Sequence, residues 1–149
     1  MKQLLFYSDN SDIGLVLRLT LGLIMLPHGA QNLFGAFGGS GYEATLSYFT
    51  DTLKFPWLFG LAIILIEFCC SIFLLLGFST RLSAILFMCI MFGAVMTTNY
   101  SNGLFMNWFG NQKGEGFEYH LLVIGICIGL MFTGSGRYSM DNVIFNRQR

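Results

Sequence analysis

Four stretches of this 149-residue chain are apolar and nearly free of charge: about residues 13–34, 57–78, 82–98 and 119–133. A helix needs about 20 mostly apolar residues to cross a hydrocarbon core of roughly 30 Å. Such runs leave few options, because backbone in lipid must satisfy its own hydrogen bonds, as a helix does. Composition excludes the soluble alternative. Only 11% of residues are charged and 54% are hydrophobic, whereas a soluble domain carries about 25% charge. A chain this short has too little interior to hide that much apolar side chain. The expected fold is all-α: a transmembrane four-helix bundle forming one integral membrane domain over residues 1–149. The connection at residues 77–81 is so short that the second and third spans must form an antiparallel hairpin.

Basic residues orient the bundle. Lys2, Arg18, Arg81, Arg137, Arg147 and Arg149 fall on one side, against Lys54 and Lys113 on the other. The excess of lysine and arginine marks the cytoplasmic side, so both termini are expected there, in a bacterial cytoplasmic (inner) membrane. Residues 1–12 lack the layout of a cleavable signal peptide, and the first run reads as an uncleaved anchor. Two long loops then face outward. The first passes through a glycine-rich stretch, residues 35–41, into a segment where Ala44, Phe49 and Leu53 predict a short amphipathic helix on the bundle mouth. That stretch is no phosphate loop, for it lacks a GK[ST] ending and follows a membrane helix. The second, residues 99–117, holds the turn-forming Asn102-Gly103 and Gly114-Glu115-Gly116.

Polar residues inside the spans are the candidate functional groups, since ionisable side chains in lipid are costly. His28, Gln31 and Asn32 lie at i, i+3 and i+4, on one face of the first span. Glu67 is ten residues from the outer end of the second span, about 15 Å deep at 1.5 Å per residue. Asn99 closes the third span, and Glu118 and His120 open the fourth. All of them fall in the outer half. They either bond to one another and fix helix register, or line an outward-facing pocket in which His28 and Glu67 exchange protons. In the second reading His28 and Glu67 are catalytic, and Gln31, Asn32, Asn99, Glu118 and His120 line the ligand pocket.

The opposite end carries Arg18, Arg81, Arg137 and Asp141, which read as a structural cytoplasmic clasp with Arg18 paired to Asp141. Gly14, Arg18 and Gly22 recur every fourth residue, as do Gly125 and Gly129. That spacing favours close helix packing within the bundle; nothing in it argues for a homo-oligomer. Cys69, Cys70, Cys89 and Cys127 all lie in apolar runs and read as inert thiols. No HxxxH, HExxH or CxxC spacing, flavin fingerprint or iron–sulfur pattern is present, so no metal, haem or flavin is expected. A net charge of zero gives no sign of nucleic-acid binding.

Taken together, these motifs resemble the DoxX family of four-span membrane proteins. The resemblance rests on Arg18-Leu19-x-Leu21-Gly22, then His28-Gly29-x-Gln31-x-Leu33-Phe34-Gly35, Glu67, the turn Leu76-Gly77-Phe78-Ser79-Thr80-Arg81, Glu118-Tyr119, and Gly136-Arg137-Tyr138-Ser139-Met140-Asp141. It covers roughly residues 13–145. The chain departs from the family where Asn32 replaces a usual lysine and His120 a common proline, and where Asn99 stands at or beside a frequent histidine. The family takes its name from a membrane component of a thiosulfate:quinone oxidoreductase. The resemblance therefore implies a quinone-linked redox component, with a quinone as cofactor and a redox or other envelope protein as partner. The alternative is a non-catalytic membrane anchor that assembles other envelope proteins.

Overall fold

The computed structural model describes residues 11–146, and every regular element among them is helical. Lys2, Arg147 and Arg149, which carry part of the charge bias, lie outside the described residues. Helix α1 (Asp12–Phe34) begins at Ser11, whose hydroxyl accepts the Gly14 N–H at 3.1 Å, and stops at Gly35 with φ of 71°. A hydroxyl cap and a left-handed glycine are the usual bounds of a helix. After a 3-10 turn at Ala36–Gly38, α2 (Gly41–Ser47) widens into a π-helical turn at Tyr48–Thr52. Then come α3 (Trp57–Leu76), α4 (Thr80–Ala94), α5 (Glu118–Thr133) and the short α6 (Met140–Asn146). Past Ala94, α4 continues as a π-helical turn, Val95–Asn99, and a 3-10 turn, Tyr100–Asn102.

Three of these helices are long and apolar enough to cross a membrane: α1, α3 and the extended α4 over Thr80–Asn102. With 16 residues α5 is shorter, about 24 Å at 1.5 Å per residue. The core draws on all four, with Leu21 and Met25 from α1, Leu74 from α3, Phe87 from α4 and Cys127 from α5. Pairing among them is uneven. Helix α3 packs chiefly along α1, and α4 along α5, while α3 and α4 touch each other less. The α1–α3 seam is close because glycines line it. A Cβ on Gly29 would sit 2.7 Å from the Phe68 backbone, and one on Gly22 3.1 Å from the Ser71 carbonyl oxygen. Gly14 instead faces the Gly134–Gly136 backbone, and Gly125 faces open space.

At the end where α3 turns into α4, Arg18 is buried and its guanidinium donates to five carbonyls. Nε bonds Ser135 O at 2.9 Å, Nη1 bonds Leu74 O and Leu75 O at 3.0 and 2.7 Å, and Nη2 bonds Arg137 O and Tyr138 O at 3.2 and 3.0 Å. Five donors meet five acceptors, so the buried charge is fully hydrogen-bonded. The helix-end carbonyls of α3, which lack intrahelical partners, are thereby tied to α1 and to the α5–α6 link. The expected Arg18–Asp141 ion pair is not formed. Asp141, also buried, accepts the Ser79 and Thr80 N–H groups at 2.7 and 3.0 Å and so caps α4. Burial raises the Asp141 carboxyl above its ordinary range, and those two N–H groups and the Arg18 charge oppose the rise. Arg137 pairs with Asp12 at 3.1 Å on an exposed surface, where ion pairs contribute little. Arg81 reaches the Phe132 carbonyl at 3.3 Å.

Removing the Asp141 cap is expected to fray the start of α4. Asp141→Ala should lower stability by about 1–2 kcal/mol, the usual scale for a lost cap, and Asp141→Asn by less. Unfolding in mixed micelles would show it, and an unchanged midpoint for Asp141→Ala would refute the cap.

Candidate functional site

Helices α3 and α4 diverge from their shared turn, and a cavity of about 450 Å³ opens between them on the far side of the bundle. Small-molecule sites typically run from about 300 to 1,000 Å³. Its walls are Ile63 and Ile66 from α3 with Ile90 and Gly93 from α4. The loop segment after α2 roofs it with Tyr48, Phe49, Leu53 and Phe55. That roof is anchored where Gly60 admits Phe49 and Leu46 against α3; a Cβ there would lie 3.0 and 3.2 Å from them. Asp51 braces the same segment by accepting from the Ser47 and Thr50 hydroxyls. Those two hydrogen bonds, and then the Lys54 charge, hold its carboxyl below the ordinary range.

One ionisable carboxylate enters this apolar space. Glu67 lines the cavity yet is only 9% exposed. Its Oε2 accepts Asn32 Nδ2 at 2.6 Å across the α1–α3 seam, and the Ser71 hydroxyl bonds its backbone carbonyl at 2.6 Å. Thr97 and Thr98 also line the cavity, but the Thr97 hydroxyl bonds Gly93 O at 2.8 Å, and that of Thr98 lies 2.7 Å from Ala94 O and 2.6 Å from Asn99 Oδ1. Glu67 is thus the main polar feature at the inner end.

The other candidate residues lie around the cavity rather than on its wall. Asn32 touches the site through Glu67. His28 is exposed on α1, its ring 6.2 Å from that of Tyr119, whose hydroxyl meets Met25 Sδ at 3.5 Å. His120 lies edge-on to Tyr119 at 5.8 Å, and its buried Nδ1 has no hydrogen-bond partner among the described residues. Gln31 holds the turn after α1 through Phe37 O at 3.3 Å. Asn99 and Glu118 brace the second loop: Asn99 bonds Glu115 O at 2.9 Å, and Glu118 accepts from Trp108 Nε1 at 3.3 Å. Among the described residues, no three His, Cys, Asp or Glu side chains converge as a metal site would need. Cys70 and Cys127 are buried and Cys69 half-buried, but Cys89 is exposed and on the cavity wall. Sequence reasoning did not identify Tyr48, Phe55 or Cys89 as site residues, since each reads as an ordinary apolar or loop residue until α3 and α4 are seen to splay.

A family model, DoxX, matches residues 13–100, more than half of the chain. The chain belongs to the DoxX family. With its apolar helices, this makes it a multi-pass DoxX membrane protein. A Bacillus subtilis (strain 168) protein named "Putative oxidoreductase CatD" is 28% identical over 139 residues, 93% of this chain and 92% of that protein. No solved structure matches significantly. The DoxX match ends at residue 100, within the extended α4, and includes Arg18, Asn32 and Glu67 together with every residue of the cavity wall.

Proposed function

We propose that this DoxX protein is the membrane-embedded component of a quinone-linked redox system, with the α3–α4 cavity receiving the quinone ring. The observation that carries this reading is Glu67: a buried carboxyl inside an aromatic and aliphatic cavity of about 450 Å³. The oxidoreductase name of the Bacillus relative agrees with it. Phe49, Phe55, Phe59 and Ile90 among the lining residues offer aromatic and aliphatic contact to a flat ring, and Glu67 offers a hydrogen bond to a ring oxygen. A bound quinone would supply the electron-accepting chemistry, and electrons reach it from a partner subunit or a small reductant. In the proposed orientation the Arg18 clasp is cytoplasmic and the cavity lies in the outer half of a bacterial cytoplasmic (inner) membrane.

Titrating the purified protein with ubiquinone and menaquinone analogues, while tryptophan fluorescence is followed, tests this. Saturable binding is expected, weakened about tenfold or more in Glu67→Gln, the equivalent of about 1.4 kcal/mol. No saturable binding, or binding indifferent to Glu67→Gln, would sink the quinone reading.

One observation favours the alternative of an assembly partner. Phe105, Trp108 and Phe109 are 66%, 77% and 90% exposed on the second loop, and aromatics are favoured at protein interfaces. A stoichiometric envelope protein recovered with the purified chain, and lost on Trp108→Ala, would support it.

A further inference from the structure

The cavity has a closed side and an open side. Toward the loops it is roofed by Phe49, Leu53 and Phe55, and on the α1 side Glu67 is bonded to Asn32. Its exposed lining residues include Phe59 on α3 and Cys89 and Thr97 on α4, which mark a mouth along the seam between these helices. Flanking that mouth, Phe92 and Met96 are 60% and 61% exposed, on a helix apolar enough to cross a membrane. The threonine hydroxyls at the rim are already bonded to α4 carbonyls, and that of Thr98 also to Asn99 Oδ1, so they offer little to whatever enters. Water gains few hydrogen bonds along such a path, and hydrocarbon is a better match for it.

We infer that the cavity is a lateral port loaded from the hydrocarbon core, and that its occupant is a membrane-dissolved amphiphile whose polar head meets Glu67 while its apolar tail leaves between α3 and α4. This rests on the assignment of the cavity as the ligand site and adds the route of entry and the need for a tail. It also explains Gly93. A Cβ there would touch nothing within 4 Å although the residue lines the cavity. A helix-interior glycine costs stability relative to alanine, and here it keeps the port wide.

Two open-space glycines make a matched test. Gly93→Leu should narrow the port from a Cβ position that has nothing within 4 Å, and Gly125→Leu, whose Cβ likewise has nothing within 4 Å, is the control outside the cavity. In nanodiscs, a quinone analogue with a ten-carbon tail is expected to bind the native chain and Gly125→Leu equally, and Gly93→Leu at least tenfold more weakly. The entry route is read separately from a nitroxide on the exposed Cys89 in a Cys69→Ala background. Its relaxation should respond to oxygen, which concentrates in lipid, far more than to a water-soluble nickel chelate. Tail-bearing ligand should then reduce the oxygen response.

Nickel-dominated relaxation would overturn lateral entry, as would equal binding by Gly93→Leu and Gly125→Leu. Should the quinone analogue fail while a long-chain alcohol or fatty acid binds with the same Gly93 dependence, the port stands and the quinone assignment falls. If no tail-bearing amphiphile binds, the port is overturned as well.

Discussion

Arg18→Leu is expected to abolish stable folding, the largest effect of any single substitution in this chain. The side chain supplies five hydrogen bonds, to carbonyls on α3 and on the link between α5 and α6. Leucine supplies none; Leu74 O keeps the Gly77 N–H at 3.1 Å, but a buried acceptor left without a donor costs about 1–3 kcal/mol. Several such losses together exceed about 3 kcal/mol, which is much of the margin of about 5–15 kcal/mol that holds a typical domain folded. Arg18→Lys should fall between the two, because an ammonium presents three donors from one point and cannot span the fork of acceptors. Accumulation in the membrane fraction and the unfolding midpoint in mixed micelles measure this series. A Leu variant as stable as the native chain would show that the clasp carries no weight.

Gly29→Val is expected to be nearly as damaging, by forcing α1 and α3 apart. Even a bare Cβ would lie 2.7 Å from Phe68 Cα and N and 2.9 Å from the Glu67 carbonyl carbon. Those atoms are backbone and cannot swing aside, so the helices must separate, at about 2–3 kcal/mol or more. Separation would also pull Asn32 from Glu67 and so weaken ligand binding. Gly22→Ala should be milder, since its nearest neighbours, at 3.0 Å, are atoms of the Leu75 side chain, with the Ser71 carbonyl oxygen at 3.1 Å. Gly125→Ala faces open space and should be neutral or slightly stabilising. Thermal unfolding of the three variants should follow the order Gly29, Gly22, Gly125. Any other order would mean that the α1–α3 seam yields more readily than its geometry implies.

The helices were legible because the apolar runs have the lengths a bilayer demands. The first run ends at Phe34 as expected, before the left-handed Gly35, but α3 stops at Leu76 rather than 78 because Gly77 turns left-handed. The start of α4 was less plain. It begins at Thr80 rather than near Leu82, held there by Asp141 from a distant part of the chain. Arg18 shows the limit more sharply. A deep arginine in an apolar run needs partners, and the acidic Asp141 is the partner a sequence advertises. Backbone carbonyls exist at every residue and leave no mark, so five of them acting together could not be foreseen.

The site divides in the same way. Glu67 stood out because a carboxylate in mid-span has no bland explanation, and the structure places it on a cavity wall. Depth grouped Asn99, Glu118 and His120 with it, and depth with a shared helical face grouped His28, Gln31 and Asn32. Depth fixes a layer of the bundle but not the direction in which a side chain points around its helix. Asn32 turned toward Glu67, Gln31 toward a loop carbonyl, and Asn99 and Glu118 toward the second loop.

The sequence by itself determined that this is a helical membrane protein of the DoxX type, with a buried carboxylate in one half and a basic clasp in the other. Apolar run length and the cost of burying charge are properties of single segments, and they can be read without knowing the neighbours. Only the tertiary structure decided that Asp141 caps α4 while Arg18 binds carbonyls, and that the polar layer splits between a cavity and its braces. Those outcomes depend on α3 keeping close to α1 and leaning away from α4, a balance of glycine contacts and aromatic bulk summed over several helices.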